Sequence, residues 1–274
     1  MILIEDYNSY KQKVNEFRKK SQFSNCYFLP DQIKQKITHQ KLYWEEVEDN
    51  LLIFEKEDIF YRLYYYLGSP ELFKMPSMIE SCVVEFSFRN QLLEKQLREI
   101  NVLEQCGFSV GRESGRMVKK NDQFNNQKEF KCLDGIRICL ATEEEIPSIM
   151  DILQESFNPL FAFLPTESEL EKIIQNHYLY VLFEGGELVA LINMDFIRGK
   201  AWIRHLAVKE SARKKGYAYY LVKSYEQKFS ADATEFMQWV DVNNSSAVNL
   251  YLKMGYQFDG MKAIEYVWAL PANS

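Results

Sequence analysis

The chain has 274 residues, enough for two domains at about 100–200 residues each, and 47% apolar with 26% charged residues is an ordinary globular composition. A net charge of −6 argues against a nucleic-acid surface. No apolar run reaches the roughly 18 residues that span a bilayer, and "MILIEDYNSYKQK" lacks the basic start and apolar core of a secretory signal, so a cytoplasmic protein is expected, neither membrane-bound nor bound to nucleic acid.

The first helix is expected around Tyr10, Val14 and Phe17, which share one helical face. Three consecutive strands follow in "KLYWEEVE", "LLIFEKED" and "IFYRLYYYLG", and a further strand in "CVVEFSF" (82–88). The segment "NVLEQCGFSVG" (101–111) then reads as a helix end with a glycine stop. A polar stretch, "KKNDQFNNQKEFKCLDG" (119–135), has no apolar period and reads as a linker. The chain thus divides into 1–120, a linker at 121–135, and 136–274.

The second half opens on a short strand, "IRICLA". Thr142 followed by Glu145 is a capping box, so a helix begins there with Ile146, Ile149, Met150 and Leu153 inward. An aromatic loop with two prolines (156–168) leads to a second helix, "ESELEKIIQN". Three strands joined by turns at Gly185-Gly186 and Gly199-Lys200 read as antiparallel hairpins. After "AWIRHLAV" come "RKKGYAYYL" and a helix through Leu221, Val222, Tyr225 and Phe229; then a strand (236–242), a helix from Ser245 stopped by Gly255, and two short strands, "YQFDG" and "AIEYVWAL".

Strand, Arg-x-x-Gly-x-Ala, helix has a chemical meaning. A helix start carries unpaired N–H groups and partial positive charge, and small residues let an anion approach them. Gly216 and Ala218 sit where the helix opens, with Arg213, Lys214 and Lys215 around them. On its own the segment fits a solvated basic turn as well as a phosphate cradle.

In context, "HLAVKESARKKGYAYYLVKSY" (205–225) resembles the acetyl-CoA motif of the GNAT (Gcn5-related) N-acetyltransferases. "NNSSAVNLYLKMGYQFDG" (243–260) resembles that family's second motif, through Asn244, Ala247, Leu250, Tyr251, Gly255 and Tyr256. The resemblance covers about 136–270. It implies an α/β (α+β) fold: a mixed, mostly antiparallel sheet flanked by helices, with a V-shaped splay between strands 201–208 and 236–242. It also implies an acetyltransferase that passes an acetyl group directly from acetyl-CoA to a primary amine. Leu206 and Val208 would bind the pantetheine arm through backbone groups, a backbone N–H near Leu206 or Ala207 would meet the oxyanion, and residues 213–218, Tyr217 included, would hold the pyrophosphate. Tyr251 would be the general acid, or an aromatic packing its helix on the sheet. Asn244 would contact pantetheine or cap its helix. For the general base, His205, Asp195, Glu265 and a relayed water all stand open, and a lone His in a strand is as readily a packed residue.

The first half echoes the second. "NVLEQCGFSVG" parallels "NLYLKMGYQFD", each after an apolar strand. Between its third and fourth strands lies only "SPELFKMPSMIES", with two prolines and no cofactor motif, and Leu103 stands at the tyrosine position. A tandem GNAT-like chain is expected, with a degenerate first copy and one active site; the alternative for the first half is an unrelated α+β cap. The rival readings are a non-catalytic acyl-CoA sensor or scaffold, and transfer of a longer acyl group. With three His, five Cys and no C-x-x-C, no metal and reduced thiols are expected; a monomer or homodimer is compatible with the rest.

Overall fold

Apolar strands buried on both faces need helices on both sides, and each part of the chain meets that need in the same way. The computed structural model describes residues 1–57, 59–77, 79, 81–121 and 135–269. It forms two compact units, one of Met1–Glu113 with the segment from Lys262 onward, the other of Ser114–Met261. These units do not coincide with the halves 1–120 and 136–274. The stretch 114–120 belongs with the second unit and the C-terminal stretch with the first. Most of the expected linker, 122–134, lies outside the described residues.

In the first unit the order is β1 (Ile2–Leu3), α1 (Tyr7–Lys20), β2 (Phe23–Ser24), α2 (Pro30–Thr38), β3 (Leu42–Val47), β4 (Asn50–Lys56), β5 (Tyr61–Leu67), β6 (Ser81–Arg89), α3 (Glu94–Gln105) and the start of β7 (Ser109–Lys120). The strands run β1-β3-β4-β5-β6-β13, where β13 is Gln257–Ala269, and β2 pairs with β5. Asp6 caps α1, accepting from the N–H groups of Asn8 and Ser9, and Tyr10, Val14 and Phe17 are its buried stripe. Alternation along β4 splits the core. Leu51 and Ile53 pack under α1 and α2, whereas Leu52 and Phe54 face α3.

In the second unit, β8 (Ile136–Leu140), α4 (Ile146–Ser156), α5 (Glu167–Gln175), β9 (Leu179–Glu184), β10 (Glu187–Ile197), β11 (Lys200–Val208), α6 (Tyr217–Lys228), β12 (Glu235–Asp241) and α7 (Ser245–Lys253) follow in order. The strands run β7-β12-β11-β10-β9-β8. The core again has two layers, α4 and α5 on one face and α6 and α7 on the other. The Glu145 carboxylate accepts from the Thr142 N–H as a capping box requires, and Ile146, Ile149, Ile152 and Leu153 face inward; Met150 is only half-buried.

Two local readings change. The β10–β11 turn is Arg198-Gly199, one residue earlier than expected, with φ of +51° and +75°. The two short C-terminal strands are one long strand, β13, which passes Gly260 in a left-handed conformation, φ +87°. A glycine in that conformation lets a strand bulge without ending.

The second unit also holds a buried ion pair that sequence reading did not find. Lys119 of β7 donates to Glu226 of α6 at 2.8 Å, their side chains 3% and 0% exposed, and Lys223 reaches the other oxygen at 3.3 Å. Asn121 extends the attachment, its amide donating to the Ser230 and Ala233 carbonyls.

Candidate active site

β11 and β12 are parallel neighbours only from Lys200↔Glu235 to Ile203↔Gln238; beyond that rung they part. β11 stays paired with β10 as far as Val208↔Ala190. The Lys209 N–H donates to the Val189 carbonyl at 2.9 Å. Hydrogen-bonding direction alternates along an antiparallel strand. The polar backbone groups of Ala207 therefore turn to β10, and those of Leu206 and Val208 turn to the splay. On that edge the Leu206 N–H and carbonyl and the Val208 N–H face a ligand with amides of its own, while the Val208 carbonyl accepts from Arg213. The Leu206 and Val208 side chains pack toward α6, whereas Ala207 packs under α4 and α5.

The loop after β11 ends at the start of α6. Gly216 is the N-cap residue with φ +85°, and Lys214 is also left-handed, φ +64°. A non-glycine residue in that conformation is strained, and such strain gathers at binding loops. The first N–H groups of α6, at Tyr217 and Ala218, lie at the start of the helix, where the intrahelical ladder has not begun. Tyr217 is buried and Ala218 half-buried, so the first turn packs on the sheet while Arg213, Lys214, Lys215 and Gly216 are exposed. Arg213 donates to the Val208 carbonyl at 3.3 Å, and Lys215 pairs with Glu184 at 2.9 Å. Those two cations thus have protein partners beside the helix start.

Tyr251 projects from α7 into the same core layer, 5% exposed, with its ring edge-on to Tyr256 at 5.5 Å. Burial pushes its phenol well above the ordinary value, so it is a protonated donor at neutral pH. Asn244 is the N-cap of α7: its Oδ1 accepts from the Ala247 N–H at 3.1 Å and from the Ser246 hydroxyl at 3.2 Å.

His205 lies at a β-bulge. The β10–β11 register steps from Asn193↔His205 to Met194↔Ile203, leaving Arg204 as the extra residue. Simple alternation would put His205 opposite Arg204. The bulge puts both on the face of Asn193 and Asp195: His205 meets Asn193, and Arg204 pairs with Asp195 at 2.9 Å. Asn193 Nδ2 is 3.2 Å from His205 Nδ1, the imidazole also hydrogen-bonds the Phe163 backbone, and Phe157 packs edge-on at 5.3 Å. Burial, with Arg204 adding to it, pushes the imidazole down to about 4, so it is neutral at pH 7. Held by Asn193 and the Phe163 backbone, His205 anchors the 156–168 loop to β11, and an imidazole pushed down to about 4 is a weak proton acceptor for an incoming amine. Asp195 is engaged by Arg204. Glu265 lies in the first unit, where Arg112 donates to it at 2.7 Å. No protein base emerges among these candidates.

The first unit has a splay too, and fills it. β5 and β6 pair only at Tyr61↔Cys82 and Arg62↔Val83. One edge of β5 is wholly taken by β4, so β2 lies on the edge that β6 leaves, with Phe23↔Leu67 and Ser24↔Tyr66. Asn25 completes the coverage. Its amide donates to the Leu63 carbonyl at 3.0 Å, and its oxygen accepts from the Tyr65 N–H at 2.8 Å. The Tyr65 hydroxyl crosses to Glu99 of α3 at 2.7 Å. Among the described residues between β5 and β6 there is only a short 3-10 turn, Pro70–Leu72, where the second unit has all of α6. Leu103 and Tyr251 are true counterparts. Each lends its carbonyl to the residue after the stop glycine, from Phe108 at 3.1 Å and from Tyr256 at 3.0 Å, and Gly107 and Gly255 have φ of +93° and +89°.

Comparison with known proteins agrees with this architecture. Residues 146–256 match the model of the acetyltransferase (GNAT) family, so the second unit carries a GNAT domain. A tandem GNAT protein from the clavulanic acid biosynthesis pathway superposes with a TM-score of 0.58 at 6% identity, over 100% of this chain and 99% of that one. A GCN5-related N-acetyltransferase from Sphaerobacter thermophilus gives 0.58 at 14% identity, over 90% and 87%. A GNAT-family acetyltransferase from Colwellia psychrerythraea gives 0.51 at 15%, over 97% and 98%. At these identities the likeness is one of fold, and the fold is a tandem GNAT-like one, with a GNAT C-terminal half and a GNAT-like N-terminal half. No curated protein matches the sequence. Among the described residues no helix is long and apolar enough to cross a membrane, and no group of three or more His, Cys, Asp or Glu residues could hold a metal ion.

Proposed function

We infer that the second unit is an acyl-CoA-dependent N-acyltransferase, with acetyl-CoA as its simplest donor, acting on a primary amine. The observation that carries this is the parting of β11 from β12 after Ile203↔Gln238, with the Leu206 and Val208 backbone edge turned into the gap and the N-terminus of α6 beyond it. The pantetheine arm pairs with that edge as a strand would, and the pyrophosphate rests on the N–H groups around Gly216 and Ala218. Lys214 and the neighbouring cations contribute field rather than fixed contacts.

In the reaction a neutral amine attacks the thioester carbon. The oxyanion is met by the Leu206 N–H, which faces the gap, and not by that of Ala207, which faces β10. Such a preorganised donor is worth about 3 kcal/mol. As the C–S bond breaks, Tyr251 gives its proton to the thiolate. The amine sheds its proton to water, since burial makes His205 a weak base. The loop held by His205 through Phe163 forms one wall for the acceptor. A cytoplasmic setting, where acyl-CoA is present and thiols stay reduced, goes with this reading.

The test is thiol release from acetyl-CoA over a panel of primary amines, with Tyr251→Phe alongside. Turnover that falls about a hundredfold or more in the variant, at unchanged acetyl-CoA affinity, supports the assignment. Tight acetyl-CoA binding with no Tyr251-dependent turnover on any amine makes the chain a sensor instead.

A further inference from the structure

The rung Ile203↔Gln238 is the vertex of the splay. Alternation along β12 places the Gln238 side chain on the face of Phe236 and Val240, both in the core layer that holds Tyr251. Gln238 therefore lines the vertex from the α7 side. It is 1% exposed, and among the described residues neither its Nε2 nor its Oε1 has a hydrogen-bond partner. A buried amide left unpaired on both atoms is costly, and folded proteins retain few of them. Its strand neighbours Ile203, Phe236 and Val240 present hydrocarbon, and the phenols of the layer, Tyr225, Tyr251 and Tyr256, make no hydrogen bond to it.

On the acyl-CoA reading, on which this inference rests, the vertex receives the acyl end of the donor. An acetyl methyl would leave both amide atoms unpaired. A hydroxyl both donates and accepts, so one hydroxyl on a short acyl chain can satisfy the amide. We propose that Gln238 selects the acyl group, and that the preferred donor is a short hydroxyacyl-CoA rather than a hydrocarbon acyl-CoA. The hydroxyl takes no part in the transfer: the N–C bond forms, the C–S bond breaks, the thiolate gains a proton and the amine loses one. A site built to hydrogen-bond a hydroxyl rejects the analogue lacking it, because the site's own groups are then left unpaired.

The experiment is calorimetric titration of the full chain with coenzyme A, glycolyl-CoA and propionyl-CoA; the last two differ by a hydroxyl in place of a methyl. Wild type should bind glycolyl-CoA at least about tenfold more tightly than propionyl-CoA. Gln238→Met, of similar size, should abolish or invert that preference and still bind coenzyme A. Should that variant not fold, Gln238→Leu serves in its place. Equal binding of the two acyl-CoAs by wild type, or an unchanged preference in the variant, overturns the proposal while leaving the acyl-CoA reading intact. If folded wild type binds none of the three, the acyl-CoA reading itself fails, and this inference with it.

Discussion

Lys119→Met removes one partner from the buried pair beneath α6. Taking away half of a desolvated ion pair costs about 3–5 kcal/mol, because the remaining charge stays buried without its partner. Here Glu226 is fully buried, but Lys223 still reaches its second oxygen, so the lower end, about 3 kcal/mol, is expected. Adding Glu226→Leu removes the stranded charge, and Lys223, with a side chain 10% exposed, lies near enough to solvent to turn outward. The double variant should therefore be more stable than Lys119→Met alone. Urea unfolding at pH 7, followed by tryptophan fluorescence and far-UV dichroism, measures all three proteins. A cost below about 1 kcal/mol for Lys119→Met, or a double variant weaker than the single, would mean that the Lys119–Glu226 pair does not hold β7 to α6.

Two further outcomes are expected. His205 is held neutral by burial, its pKa lowered from 6.5 to about 4, so below pH 6.5 the unfolded chain binds a proton that the folded chain refuses. Stability should fall by up to about 3 kcal/mol between pH 6.5 and pH 4 on this account, and His205→Leu should show a shallower slope over that window; equal slopes contradict the assignment. Asn25→Ala leaves the Leu63 carbonyl and Tyr65 N–H of β5 without their amide partner, and chemical denaturation should show a loss of about 1–3 kcal/mol; a loss within error would mean that Asn25 does not seal that edge.

Much of the framework is legible in local chemistry. The stripe Tyr10, Val14, Phe17, the Thr142–Glu145 box and the stop glycines 107 and 255 each specify a local geometry that long-range packing then keeps. The repeat was visible for the same reason, since a Schellman turn needs its glycine at a fixed distance from the inward residue. What stayed hidden depends on pairing between distant segments. Nothing near Arg204 announces a bulge, because Ile203 and His205 are both buried and an apolar pattern cannot tell one face from the other. β2 is too short to carry a period, and Asn25 acquires its role only from a strand edge forty residues away in sequence. The stretch Ser114–Lys120 reads as the polar tail of the first half, yet its register against β12 runs unbroken from Ser114↔Asp241 to Lys120↔Glu235. Asn193 and Gln238 look like isolated polar breaks in apolar strands, the one signal from which their buried, incompletely paired state could have been suspected.

The central claim is one acyl-CoA site per chain, seated on the helix start at Gly216. Gly216 has φ +85°, and a Cβ there would meet nothing closer than Tyr220 Cε2 at 3.7 Å, so a substitution acts through backbone conformation rather than a clash. Calorimetric titration of acetyl-CoA into wild type and Gly216→Val tests the claim most directly. One site per chain is expected, and in the variant a Kd raised at least tenfold, about 1.4 kcal/mol, with an unchanged far-UV spectrum. Two sites per chain, or an unchanged Kd in Gly216→Val, would contradict it.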